Sequence, residues 1–180
     1  MIPKDLRYHQ EHEWVRVPAA NLIGEENAGF RAIMRNFNSE RLGMAAGAVG
    51  FAQACLDDAL DWARQRKTFG AHLIEHQVIR HKLVDMQTRI HAARAMLYDT
   101  AEKLAQAPRE PRWIAQLAML KNFSTDAMQF CADAAVQTLG GAGFMRGTRA
   151  ERIYREAKVM QIGGGSTEIM KDLAARQMDW

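Results

Sequence analysis

The stretch IRHKLVDMQTRIHAARAML, residues 79–97, decides the fold. Its Ile79, Leu83, Met86, Ile90, Ala93 and Leu97 step by three or four. That spacing stacks side chains on one face of an α-helix. Ala101 and Leu104 continue the stripe until Pro108 and Pro111 mark a turn. Beyond the turn, Leu117, Leu120, Met128, Cys131, Ala135 and Leu139 form a second apolar face, predicting a helix over 111–138. Gly140-Gly141-Ala142-Gly143 breaks it, a fourth helix is expected over 148–161, and Gly163-Gly164-Gly165 breaks the chain again. Ser166 is a good N-cap for a last helix over 167–178.

On the N-terminal side, Phe30, Ile33, Met34 and Phe37 open a helix, and Ala45, Val49, Ala52, Leu56, Ala59 and Ala63 carry its stripe towards Arg66. Phe69-Gly70 is expected to close this helix as a C-terminal glycine. Gly43, Gly47 and Gly50 lie inside it, where each costs up to about 1 kcal/mol relative to alanine. Close approach of a neighbouring helix is the expected reason, with a ligand lying on the backbone as the alternative. All four prolines lie at or before Pro111, leaving 19–107 and 112–180 free for long helices. The stripes are similar in length and joined by short links, so an all-α, antiparallel four-helix bundle is expected. Residues 1–26 differ: Glu13-Trp14-Val15-Arg16-Val17 alternates weakly and stops at Pro18, as a short extended segment would.

Composition bounds the function. Hydrophobic residues make up 48% and charged residues 25%, the balance of a globular chain that buries a core. The net charge of +3 is spread over both signs, which is a poor basis for binding nucleic acid. No apolar run is long enough for a transmembrane helix. Cys55 and Cys131 stand apart, with no metal-ligand spacing to histidine or to one another. Neither a disulfide scaffold nor a metal site is expected, and a reduced, cytoplasmic protein is the default. His76, His81 and His91 are read as solvated or core residues, and Met86, Met128 and Met160 as core filler.

Several motifs resemble one family. Arg66-Lys67-Thr68-Phe69-Gly70 followed by Glu75-His76-Gln77 resembles the RxTFG…HQ signature of acyl-CoA dehydrogenases. Gln137-Thr138-Leu139-Gly140-Gly141-Ala142-Gly143-Phe144 is similar to that family's QxxGGxG stretch, and Arg155-Glu156-Ala157-Lys158 to its RDAK. Ile162-Gly163-Gly164-Gly165-Ser166-Thr167-Glu168-Ile169 resembles the family's last loop and helix start. Val17-Pro18-Ala19-Ala20-Asn21-Leu22-Ile23-Gly24 resembles the segment that leaves its middle β-domain. The resemblance is to the C-terminal part of the family alone. It implies that residues 1–26 are a remnant of the middle β-domain and linker, and that 27–180 form the C-terminal helical bundle domain. A chain without the preceding helical and β-domains is expected to be inactive by itself.

The resemblance also implies a chemistry, the FAD-dependent α,β-dehydrogenation of an acyl-CoA thioester with a branched or medium-to-long chain. Many members place the catalytic glutamate in the last loop, at the position of Gly164. A subset similar to isovaleryl- and long-chain acyl-CoA dehydrogenases places it on the first bundle helix, in a Glu-Arg-Leu motif. This chain has Glu40-Arg41-Leu42 together with Gly163-Gly164-Gly165, so the resemblance implies Glu40 as the base. By the same carry-over, Arg66, Thr68, Phe69, Gln77, Gln137, Gly140, Gly141, Ser166 and Glu168 contact FAD. Asn38, Ser39, Arg41 and the Gly164 backbone contact acyl-CoA. A homodimer or homotetramer sharing FAD between subunits is implied, with electron-transfer flavoprotein as electron acceptor. The competing expectation is a truncated, non-catalytic helical module that oligomerises or binds a partner.

Overall fold

The computed structural model describes residues 18–178. The extended segment expected at Glu13–Val17 lies outside the described residues. Ala19–Asn21 form a short 3-10 turn. Helix α1 follows at Gly29–Gln65, α2 at Gln77–Gln106 and α3 at Pro111–Leu139. The short α4 is Gly141–Phe144, α5 is Arg149–Ile162 and α6 is Thr167–Gln177. Contacts divide the chain at Asn36–Phe37, part-way along α1. In the first unit Phe30 and Ile33 are largely exposed, so the apolar stripe read at the start of α1 buries little. All of the sites below belong to the second unit.

Local chemistry explains the helix ends. Pro111 occupies the first turn of α3, where its missing N–H is no loss. The Glu151 N–H donates to Thr148 Oγ1 at 3.2 Å, capping α5. The Ile169 N–H donates to Ser166 Oγ at 3.5 Å, capping α6. Gly140 closes α3 with φ +62°, a left-handed value that glycine adopts without strain.

The core is a four-helix bundle. Ala48, Ala52, Cys55, Leu56 and Ala59 of α1 meet Leu83, Met86 and Ile90 of α2. Met128, Cys131, Ala135 and Leu139 of α3, with Ala150, Ile153 and Ala157 of α5, complete the same cluster. Met170 and Ala174 of α6 pack on Ala115 and Ala118 of α3. Sixteen of the 29 residues of α3 are buried, so this helix is covered on most sides and forms the axis of the domain. Met86 and Met128 are fully buried core filler, as expected. Burial pushes both thiols up, Cys55 to about 12 and Cys131 to about 12.

The three internal glycines of α1 behave differently from one another. Gly47 faces Met160 of α5, whose Cε would lie 3.9 Å from an added Cβ. Gly43 and Gly50 are exposed, with nothing near an added Cβ. Gly47 alone faces another helix, and at ordinary contact distance, so close helix approach requires glycine at none of the three.

Gly143 has no room for a side chain. A Cβ there would sit 2.6 Å from the Val136 carbonyl oxygen and 2.9 Å from Leu139 Cβ. Gly143→Ala is expected to destabilise the chain by about 1–3 kcal/mol, since backbone must shift to admit it. Thermal unfolding checks this, at about 2–4 °C per kcal/mol for a domain of this size.

The buried thiols set a second expectation. Each keeps its proton in the folded chain after the unfolded chain has lost it, so each favours folding below the ordinary thiol value and ceases to as pH rises. Stability should fall as pH climbs from 9.0 towards about 12. Urea unfolding at a series of alkaline pH values should show a shallower fall for the Cys55→Ala/Cys131→Ala double variant.

Candidate functional site

Successive residues of an α-helix point about 100° apart, so neighbours can face opposite environments. Glu40 and Arg41 do so on α1: Glu40 is exposed and Arg41 is buried. The Arg41 guanidinium lies 5.5 Å from the centre of the Phe37 ring, and its Nη1 donates to Asn38 Oδ1 at 3.1 Å. Its Nε donates to the Gly164 carbonyl oxygen at 2.8 Å, across 123 residues of sequence. Burial draws the Arg41 pKa below the usual arginine value, and Glu40 opposes that shift. Asn38 is half-buried against Arg41, and Ser39 is exposed. The stretch Asn38–Arg41 thus anchors the glycine turn from α1 while presenting a carboxylate outward.

The turn itself is Gly163–Gly165. The Gly163 N–H donates to the Val159 carbonyl at 2.8 Å, ending α5. Gly164 has φ +68° and Gly165 φ +118°. A Cβ on Gly164 would also lie 2.9 Å from Met44 Sδ. Two further side chains hold the turn, and sequence reasoning missed both. Lys121 of α3 is fully buried, and its Nζ donates to the Gln161 carbonyl at 2.9 Å and the Gly165 carbonyl at 2.8 Å. Asn122 Nδ2 donates to the Thr167 carbonyl at 2.9 Å. Burial, then the positive charge of Arg41, lowers the Lys121 pKa. The available signal was positional: Lys121 falls four residues after Leu117 and seven before Met128, on the apolar face of α3.

Ser166 and Glu168 follow the turn. Ser166 caps α6, and the exposed Glu168 lies in its first turn. Glu168's own backbone N–H, then Ser166, hold its carboxyl below the usual carboxylate range.

A second cluster forms where α1, α2 and α3 have their ends. Arg66, Thr68, Gly140 and Gly141 line one cavity of about 450 Å³, together with Trp62, Leu73, Thr138, Leu139 and Ala142. The helix expected to run into Phe69-Gly70 ends at Gln65 instead. Strand β1 (Lys67–Thr68) then pairs with β2 (Ala71–His72) as a small antiparallel hairpin. Phe69 and Gly70 form its two-residue corner, with φ +52° and +83°. Two positive φ values suit the right-handed twist of a tight hairpin. An aromatic residue rarely adopts one, and the Phe69 side chain is fully exposed. Gln77 and Gln137 are exposed on the first turn of α2 and the last of α3, outside the cavity lining.

The cavity suits a phosphodiester. It offers an arginine, a hydroxyl, and backbone at Gly140 and Gly141 with open space where side chains would be. Glycine amides and arginine are the groups that hold phosphate at short range. Among the described residues no cluster of His, Cys, Asp or Glu could hold a metal ion. Among the same residues no helix is long and apolar enough to cross a membrane.

Fold and site together define a helical bundle domain with a cavity of about 450 Å³ at one set of helix ends and a clamped glycine turn beside a helical carboxylate. The chain belongs to the acyl-CoA dehydrogenase family, whose C-terminal domain matches residues 27–178. It is 40% identical over 164 residues to cyclohexane-1-carbonyl-CoA dehydrogenase of Geobacter metallireducens, covering 91% of this chain and 42% of that protein. An acyl-CoA dehydrogenase of Bacillus subtilis is 40% identical over 162 residues, covering 90% and 42%. Among solved structures, a probable acyl-CoA dehydrogenase of Mycobacterium abscessus superposes with TM-score 0.86 at 40% identity, covering 91% of this chain and 43% of that one. The butyryl-CoA dehydrogenase of Megasphaera elsdenii gives 0.82 at 36% identity, covering 90% and 42%. The chain therefore spans less than half the length of these relatives.

The hairpin corner yields a prediction. Asparagine tolerates a left-handed backbone better than phenylalanine, so Phe69→Asn should relieve strain of about 1 kcal/mol. The melting temperature of the chain should rise by about 2–4 °C. Differential scanning calorimetry checks it.

Proposed function

We propose that the chain is the C-terminal domain of an FAD-dependent acyl-CoA dehydrogenase that carries its catalytic base at Glu40. The observation that carries this reading is the bond from Arg41 Nε to the Gly164 carbonyl. It ties the Glu-Arg-Leu motif on α1 to the loop position where other members of the family keep their glutamate.

In this reading Glu40 takes the α-proton of the thioester. The Gly164 N–H donates to the thioester oxygen, where negative charge grows as the proton leaves. A preorganised donor at that atom is worth most because it needs no reorganisation during the reaction. Arg41 acts through the turn, holding Gly164, while Glu40, about 100° round the helix from it, faces outward. Asn38 fixes the Arg41 guanidinium, and Ser39 lies beside the base to meet the acyl-CoA. When bound, FAD supplies the acceptor for the hydride that leaves the β-carbon. Arg66, Thr68, Gly140 and Gly141 would hold its diphosphate and adenosine portion, with Phe69, Gln77 and Gln137 around the cleft. Ser166 and Glu168 would meet FAD beside the glycine turn.

The relatives support the substrate class, an acyl-CoA thioester with a branched, cyclic or medium-to-long acyl group. Isovaleryl-CoA dehydrogenase of Oryza sativa is 35% identical over 162 residues. A caffeyl-CoA reductase–Etf complex subunit of Acetobacterium woodii is 31% identical over 159 residues, which supports electron-transfer flavoprotein as the redox partner. A homodimer or homotetramer in the cytoplasm completes the proposal, with neighbouring subunits sharing the exposed cofactor cleft.

Glu40→Gln tests the role of the base in the full-length protein loaded with FAD. Removing a general base lowers turnover by about 10²–10⁴-fold. The flavin spectrum before substrate should not change, while its bleaching by branched acyl-CoA should slow by that factor. Undiminished bleaching would assign the proton abstraction elsewhere, and absence of bleaching in the wild type as well would favour a non-catalytic module.

A further inference from the structure

We infer that Lys121 is a positioning residue, whose buried ammonium fixes the glycine turn so that the Gly164 N–H keeps one direction. The inference deepens the proposed function and rests on it for its catalytic consequence.

Three consecutive glycines are the most flexible backbone a chain can make, because glycine loses more freedom on ordering than any other residue. A donor aimed at one atom needs the opposite property. The backbone bonds flanking the turn run from the Gly163 N–H to Val159 and from the Met170 N–H to Ser166. Among the described residues the Gly164 N–H enters no such bond. Order must come from side chains, and Lys121 is placed to provide it. Its two acceptors, the carbonyls of Gln161 and Gly165, lie at the entry to the turn and at its exit. One ammonium therefore closes the turn like a clasp, and Arg41 grips the Gly164 carbonyl between those points.

Peptide planarity converts these grips into direction. A peptide unit whose carbonyl is held has its N–H held on the opposite side. Arg41 fixes the unit joining Gly164 to Gly165, and Lys121 fixes the unit joining Gly165 to Ser166. The bond from Gly163 to Val159 holds the chain just before Gly164. The unit carrying the Gly164 N–H is confined from both ends.

Chemistry favours a lysine in this place. The Gln161 carbonyl belongs to the last turn of α5, where carbonyls lack helical partners and a cation is favourable. Among the described residues Lys121 forms no ion pair with a carboxylate, so its charge is spent on the two carbonyls. Asp126 reaches the same place indirectly, accepting from Gln161 Nε2 at 3.0 Å. A lysine retained only to fill volume could be replaced by methionine, which has a similar unbranched shape.

The test uses Lys121→Met in the 180-residue chain, read by amide hydrogen exchange. Helical circular dichroism and cooperative unfolding should persist. Exchange at the two bonded amides that flank the turn, Gly163 and Met170, should accelerate by roughly tenfold or more, as expected for local opening of one segment, while α2 amides stay within about twofold. Unchanged exchange at the turn, or equal acceleration in every helix, would overturn the inference. A measurement on the wild type guards against a variant that fails to fold. In ¹⁵N-lysine-labelled protein, the Lys121 ammonium should exchange slowly with water and show scalar coupling to the carbonyl carbons of Gln161 and Gly165. A fast-exchanging ammonium without those couplings would also overturn it. In the FAD-loaded full-length protein, Lys121→Met should lower kcat by roughly tenfold or more with KM within about threefold. The exchange results need neither FAD nor Glu40, so they stand or fall apart from the assignment of the base.

Discussion

Two cations grip one turn of glycine backbone, and the arrangement of the domain follows from that constraint. Arg41 comes from α1 and Lys121 from α3, and both donate to carbonyls between Gln161 and Gly165. Like charges repel, and burial adds a penalty on the order of several kcal/mol per ion. The pair persists because each donor meets a carbonyl, and because Glu40 and Asp126 lie near enough to favour the charged forms. Asn122 extends the grip to the Thr167 carbonyl, at the start of α6. Three helices are thereby referenced to one short loop.

The packing around this loop is built to hold α1 and α3 in place. Alanines of α1 share one core cluster with the larger Met86, Ile90 and Met128. Small residues opposite large ones interdigitate at native density, which resists sliding. The C-terminal end of α3 is governed by Gly140 and Gly143, for unrelated reasons. Gly140 turns the chain with a positive φ, while Gly143 lies too close to the preceding helix for any side chain. One run of glycines thus serves as a turn, as an open wall of the cleft and as a packing contact.

The repeating features of this fold were legible in the sequence. Apolar stripes located α1, α2 and α3, and Pro111, Thr148 and Ser166 marked helix starts because each has a local reason to be there. Features that depend on distant contacts were hidden. The Phe69-Gly70 pair reads equally well as a helix stop or a hairpin corner, and the choice is made by pairing of Lys67 with His72. Gly43, Gly47 and Gly50 have the same spacing signature, yet only Gly47 meets another helix. Lys121 was hidden because a lone lysine in an apolar stripe has no pattern, and its acceptors lie 40 and 44 residues away. At the site, the two halves of the Glu40–Gly164 relation were readable only through family resemblance. The physical tie between them is a single side chain that sequence spacing does not reveal.

That tie has a mechanical consequence. Glu40 and Arg41 are consecutive residues of one long helix, so neither can shift along the axis without the other. Because Arg41 holds the loop by its backbone, a small translation of α1 drags the loop along with the carboxylate. The spacing between the Glu40 carboxylate and the Gly164 backbone is thus insulated from breathing of the bundle, in the way two jaws mounted on one shaft keep their gap when the shaft vibrates.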